Sequence, residues 1–150
     1  YAPSERPGRR TNTTRGWVSF PRLIYDMAMR IKNDYRNIDW FVAESGMGVE
    51  NEAQFRNRDG IIDDAYRIAF ISEHLYYTLL AREAGANCHG YMLWAFTDNV
   101  SPMNAFKNRY GLIEIDLENH RARRAKKSAS WFRQLRDERV LTLRVDDEWK

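Results

Sequence analysis

Glu44 closes the run Trp40-Phe41-Val42-Ala43-Glu44 and is followed at once by Ser45-Gly46-Met47-Gly48. A carboxylate at the carboxyl end of a short apolar strand, just before a glycine-bearing turn, stands where a parallel α/β barrel keeps its chemistry. Several consecutive apolar residues predict a strand covered on both faces. An acidic side chain at its last position then costs free energy unless it is paired or used. The functional reading of Glu44 is a catalytic carboxylate. The plainer reading is a carboxylate that caps a turn or pairs with a neighbouring arginine.

A second apolar stretch, Cys88 to Phe96, also ends in polar residues, Thr97-Asp98-Asn99. Trp94 near its end is read equally well as a core aromatic or as a flat surface for a ligand. Asp98 is placed where a second catalytic carboxylate would stand. Cys88 and His89 are adjacent and therefore point to opposite faces of a strand, and no metal-like spacing surrounds them, so no metal ligand is assigned.

The elements that must hold these residues follow from periodicity. Residues 1–15, with Pro3, Pro7, Gly8 and the Thr-Asn-Thr-Thr cluster, predict a loop. Pro21 opens a helix whose buried face comprises Leu23, Met27 and Ile31, flanked by Ile24, Ala28 and Tyr35. Ile38 to Glu44 is the first strand, and 45–60 a polar loop. Asp63 and Asp64 are N-cap candidates for a helix carrying the stripe Ile68, Ile71, Leu75 and Leu79, stopped by Gly85. After the Cys88–Phe96 strand come a strand-like stretch, Leu112 to Leu117, and a helix over 124–139 burying Trp131, Phe132 and Leu135. Helix, strand, helix, strand, helix is the alternation of an α/β protein with a parallel sheet. Only two principal strands are visible, and a closed eight-stranded barrel takes about 250 residues. The chain is thus a small open α/β domain or part of a larger one.

Composition sets the bounds. The 150 residues are 43% hydrophobic and 30% charged, an ordinary globular balance, with five Trp, eight Tyr and seven Phe. A single cysteine excludes an internal disulfide, and no apolar run approaches the roughly 20 residues of a membrane span, so no membrane partner is expected. No signal peptide is visible and a cytoplasmic location is expected. The sequons at Asn12 and Asn99 are read as chance matches. Net charge is +3, and the basic excess lies in Arg121, Arg123, Arg124, Lys126 and Lys127. Alanines interrupt that run and Trp131-Phe132 follow it, so it reads as the solvated entrance to an amphipathic helix. No nucleic-acid partner is expected.

Several ordered motifs together resemble the C-terminal portion of family 1 glycoside hydrolases, retaining β-glycosidases on an eight-stranded barrel. Gly16-Trp17 through Pro21 to Tyr25-Asp26 is similar to the opening of the sixth barrel helix. Val42-Ala43-Glu44-Ser45-Gly46 is similar to the nucleophile motif at the end of the seventh strand, with Ser45 where asparagine is usual. Tyr91 to Asn99, YMLWAFTDN, is similar to the eighth-strand motif, and Arg109-Tyr110-Gly111-Leu112 with Lys126-Lys127-Ser128 to the closing segment.

The resemblance implies the part of a (β/α)8 barrel from about helix 6 to helix 8, with residues 1–150 as one segment of a single barrel domain. It makes Glu44 the nucleophile and needs no metal or organic cofactor. In retaining hydrolysis one carboxylate attacks the anomeric carbon, and a second, about 5 Å away, protonates the leaving oxygen. The family's second carboxylate lies in an Asn-Glu-Pro context that these residues do not supply. Asn51-Glu52-Ala53 is a superficial echo, so the chain by itself is expected to be inactive. By the same resemblance Trp94 faces the sugar, and Asp98 fixes its loop by hydrogen bonds rather than acting on substrate.

Where family β-glucosidases carry glutamate and tryptophan, this chain has Ser101 and Pro102. A glutamate would repel a phosphate on the sugar's sixth carbon, whereas a serine donates a hydrogen bond and leaves room. Ser101, Lys107 and Tyr110 resemble the serine, lysine and tyrosine of members acting on 6-phosphoglycosides. A surface lysine is the other reading of Lys107, since some relatives carry the lysine at the position of Asn108. The implied substrate is a phosphorylated disaccharide or aryl β-glycoside, with a 6-phospho-β-glucoside favoured over the galacto epimer. The alternatives are a glycosidase for unphosphorylated sugars and a non-catalytic sugar-binding module, and exposed strand edges would favour self-association.

Overall fold

The computed structural model describes residues 11–12 and 16–143. Two six-residue strands form its parallel sheet: β3 (Trp40–Ser45) beside β5 (Cys88–Leu93), in the register Trp40↔Cys88, Val42↔Tyr91, Ser45↔Leu93. Before them come the short antiparallel pair β1 (Thr11–Asn12) and β2 (Trp17–Val18), then helix α1 (Leu23–Asp34). Between them lie β4 (Val49–Glu50), a 3₁₀ turn over Glu52–Phe55 and helix α2 (Ala65–Glu83). After β5 follow β6 (Asn108–Arg109), paired antiparallel with β4, the hairpin of β7 (Ile113–Asp116) and β8 (Ala122–Ala125), and helix α3 (Lys127–Glu138). The architecture is an incomplete α/β barrel sector, with β3 and β5 joined by the α2 crossover that parallel pairing requires.

Each helix packs as its sequence allows. Ala28 of α1 meets Ala81 of α2 and Ala86 in a cluster of small residues, with Tyr25, Met29 and Trp40 around it. Lys32 on α1 reaches the end of α2, donating to the Ala84 carbonyl at 2.6 Å, where the helix dipole favours a cation. Gly85, at φ +87°, ends α2 in the left-handed conformation expected of such a stop. The expected face of α1 is turned: Leu23 and Met27 are about half exposed, and Ala28 is the buried residue. The described residues cover the Leu23–Met27 side only in part.

Four further expectations change. The loop expected over 1–15 contains β1 at Thr11–Asn12, while residues 1–10 and 13–15 lie outside the described residues. The stripe on α2 holds at Ile68 and Ile71 but then runs through His74, Thr78 and Ala81, leaving Leu79 exposed. Its hydroxyls are tolerated inside because Ser72 and Thr78 donate to the carbonyls of Ile68 and His74, one turn back. The basic run is not a helix entrance: Ala122–Ala125 is a hairpin strand, and α3 begins at Lys127. Finally, β5 stops at Leu93. Trp94 donates its N–H to Ser45, but Ala95 N–H goes to the Tyr110 carbonyl, and Leu112 and Ile113 donate back to Ala95 and Phe96. The chain thus leaves β3 for the segment 110–113 at Trp94.

Among the described residues no helix is long and apolar enough to cross a membrane.

Candidate active site

That change of partner builds a cavity at the carboxyl end of the parallel pair. It encloses about 210 Å³ and is lined by Glu44, Trp94, Ser101 and Tyr110, with Trp17 and Asn99 beside them. Four of the five residues singled out from the sequence therefore converge. The fifth, Lys107, lines a neighbouring cavity of about 310 Å³ with Glu52, Asp98 and Arg109. Its ammonium stands 3.2 Å from Glu50, on a side chain about two-thirds exposed.

Glu44 is exposed, which corrects the expectation of a strand buried on both faces. Phe41 on the same strand is 55% exposed and Met92 on β5 50%, because the described residues cover only one side of the sheet. Among the described residues none pairs with the Glu44 carboxylate, so the turn-capping and arginine-pairing readings find no partner here. The loop after it is held tightly. A Cβ on Gly46 would lie 1.6 Å from the Trp94 carbonyl oxygen, so only glycine lets the two main chains meet there. The Trp94–Ala95 peptide is cis.

The opposite wall is polar. Ser101 Oγ accepts the Met103 N–H at 3.3 Å, which leaves the hydroxyl proton free to donate. Tyr110 is buried with its ring over Gly48, and its hydroxyl has no partner among the described residues. Asn99 contributes a buried Oδ1 that likewise has no partner. Tyr91, on β5, is buried deeply enough that its phenol is pushed up to about 12. Glu44 is the only carboxylate among the residues lining this cavity.

Asp98 fixes its loop, as expected. Its Oδ1 accepts from the Gly111 N–H and the Lys126 ammonium, both at 2.9 Å. Lys126 belongs to a buried ionic network that sequence reasoning missed. It also bonds Glu52, which in turn takes Arg67 and, at 2.6 Å, the Tyr66 hydroxyl. Burial foremost, then the charge of Glu52, raises the Tyr66 phenol well above its usual range. Burial alone would lower the Arg67 guanidinium, but Glu52, Tyr66 and Asp64 together hold it above its ordinary value. Asp64 sits at the start of α2 without capping it. Its carboxylate instead takes the Ser128 N–H at 2.8 Å and the Ser128 hydroxyl at 2.5 Å, capping α3. The available signal was helical spacing: 67, 71, 74 and 78 share one face, so Arg67 falls inside the apolar stripe.

Among the described residues no group of His, Cys, Asp and Glu is arranged to hold a metal ion. A strongly apolar cavity of about 200 Å³ lies behind the site, between Trp17, Phe20, Met47 and Phe70.

Comparison with known proteins places the chain in a family. The family model for glycosyl hydrolase family 1 matches residues 4–140. The 6-phospho-beta-glucosidase GmuD of Bacillus subtilis is 46% identical over 135 residues, 90% of this chain and 29% of that protein. A 6-phospho-beta-galactosidase of Clostridium acetobutylicum is 39% identical over 126 residues, 83% of the chain and 26% of that protein. Among solved structures, the family 1 β-glucosidase from Thermotoga maritima superposes with a TM-score of 0.81 at 24% identity, covering 93% of this chain and 30% of that one. The chain spans less than a third of the length of each of these proteins.

Proposed function

The chain belongs to glycosyl hydrolase family 1, and from that premise we propose that it is the C-terminal part of a retaining glycosidase acting on 6-phospho-β-glucosides, with Glu44 as nucleophile. One observation carries the reading: a carboxylate at the carboxyl end of β3, without a partner among the described residues, shares a cavity with Trp94, Ser101 and Tyr110. In the first step a Glu44 oxygen bonds to the anomeric carbon as the bond to the leaving oxygen breaks. That oxygen takes its proton from a second carboxylate, which the described cavity does not contain. Water then displaces Glu44, giving up its proton to the same second group.

Trp94 covers the apolar face of the ring. Ser101 and Tyr110 supply hydroxyl donors toward the phosphate, in a wall without a competing carboxylate. Substrate preference comes to this reading from the Bacillus and Clostridium relatives, whose names both specify 6-phospho glycosides. The place of Lys107 beside Glu50 favours a second reading, a glycosidase for unphosphorylated sugars.

Both readings meet in one experiment. Joined in frame behind the preceding part of the Bacillus relative, the chain should complete a barrel that hydrolyses nitrophenyl 6-phospho-β-glucoside. Glu44→Gln in that chimera should lower kcat by about 10⁴-fold or more, as removal of a covalent nucleophile does. A Glu44→Gln chimera within tenfold of its parent removes the nucleophile assignment. Preference for the unphosphorylated glucoside selects the second reading. The 150-residue chain on its own should show no turnover.

A further inference from the structure

Arg67 is 1% exposed, and each of its five N–H donors has an acceptor. Nε donates to Asp64 Oδ2 at 3.0 Å. Nη1 donates to the carbonyls of Met47 at 2.6 Å and Tyr110 at 3.1 Å. Nη2 donates to Glu52 and to the Arg109 carbonyl at 3.2 Å. Met47 lies three residues beyond Glu44, and Arg109-Tyr110 carry the opposite wall of the cavity. One guanidinium therefore joins main chain from both sides of the site.

We propose that Arg67 is a positioning residue for the Glu44 cavity, clamping the loop after Glu44 to the backbone of Tyr110 and so setting the distance between the two walls. The third wall is tied to the same point. Glu52 bridges Arg67 to Lys126, Lys126 holds Asp98, and Asp98 anchors the loop that carries Ser101. Three of the five acceptors are main-chain carbonyls, from two segments that pair with each other over only two residues, Val49↔Arg109 and Glu50↔Asn108. So short a ladder would fray without further support. Lysine cannot replace this fork: an ammonium is a compact point charge with three donors and no fixed planar spread. The consequence for catalysis rests on the reading of Glu44 given above, whereas the clamp itself does not.

Two measurements separate these levels. In the native chain, amides of residues 47–50 and 108–112 should exchange with solvent only as slowly as those in the middle of α2, because the clamp makes them open together. Fast local exchange there overturns the proposal without any variant. Arg67→Lys should then speed exchange in those two segments at least tenfold beyond the change in Ile68→Val, a conservative substitution at the neighbouring buried position of α2. An equal response in both variants overturns it. In the chimera described above, Arg67→Lys should raise KM for the 6-phospho-β-glucoside at least fivefold while Ile68→Val changes it less than twofold. Protected segments with an unchanged KM would refute the positioning role. An inactive chimera with the native chain would count against the functional reading, and exchange would still judge the clamp.

Discussion

Replacing Gly46 by alanine probes how closely the Glu44 loop and Trp94 are locked together. Gly46 does not adopt the left-handed conformation that favours glycine, so the effect is steric alone. The new Cβ would stand 1.6 Å from the Trp94 carbonyl oxygen and 2.7 Å from its carbon, both main-chain atoms that cannot rotate away. The two segments must part by roughly 1.4 Å before the contact reaches even 3.0 Å. That movement strains the 2.8 Å hydrogen bond from Trp94 N–H to the Ser45 carbonyl, the last tie between β3 and β5. Overpacking costs about 1–3 kcal/mol and a lost hydrogen bond about 1 kcal/mol, so unfolding stability should fall by roughly 2–4 kcal/mol. Urea unfolding of the chain would read this as a midpoint lowered by on the order of 1 M or more at unchanged slope. Because Glu44 and Trp94 flank the same cavity, a displacement of about 1 Å should lower kcat/KM in the chimera about 100-fold. Gly60→Ala is the control. It sits at φ +78° with nothing within 4 Å, so it should cost about 1 kcal/mol of stability and leave kcat/KM unchanged. If Gly46→Ala keeps native stability and activity, the cavity is softer than this close approach allows, and the argument that Gly46 positions Glu44 fails.

Three other outcomes follow from the same geometry. Ser101→Glu in the chimera should shift the ratio of specificity constants toward unphosphorylated glucoside by about tenfold or more, since a carboxylate would face the phosphate; an unchanged ratio removes Ser101 from the phosphate site. Asp64→Ala should destabilise the chain by about 2–4 kcal/mol, because it leaves the buried Arg67 Nε–H without its acceptor and uncaps α3, while Glu52 still pairs the guanidinium. Asp63→Ala, which loses only the half-exposed pair with Lys127, should cost less than about 1 kcal/mol in the same denaturation assay, and similar losses at the two positions would contradict the burial argument. The third concerns pH. Burial raises the Tyr91 phenol from 10.0 to about 12, so folding favours the protonated form. That contribution is complete below pH 10 and is lost between pH 10 and 12, at up to about 1.4 kcal/mol per pH unit. Tyr91→Phe should make the stability loss from pH 9 to pH 11 shallower, and an unchanged loss would show that Tyr91 does not titrate with unfolding.

What was legible in the sequence was local. The first half of the α2 stripe, at Ile68 and Ile71, and the starts of the apolar runs of β3 and β5 depend on neighbours a few residues away, and these stand close to where periodicity put them. What was not legible was the pairing that puts charge inside. Glu52 meets Arg67 across 15 positions and Lys126 across 74, and nothing in the loop around Glu52 marks it as buried. Asp64 was legible as a cap, but the helix it caps begins 63 residues later, at Lys127, rather than beside it.

The misreading of Glu44 as a buried carboxylate has a different cause. An apolar strand is a record of the surfaces packed against it in the complete fold, and β3 has the pattern of a strand covered on both faces. In the described structure Ile38, Phe41, Met92 and Trp94 are exposed around it, at 58%, 55%, 50% and 42%. Leu23 and Met27 on α1 repeat the same discrepancy on the helical layer. Apolar pattern and observed burial disagree along the strands and the helix at one side of the parallel pair, while they agree on the side facing α2. An incomplete barrel accounts for that, since the described structure is one sector in a chain that spans 30% of the β-glucosidase it superposes on. The exposure of Glu44 is therefore a property of this sector of the barrel, and its chemistry depends on the surfaces that cover the sector.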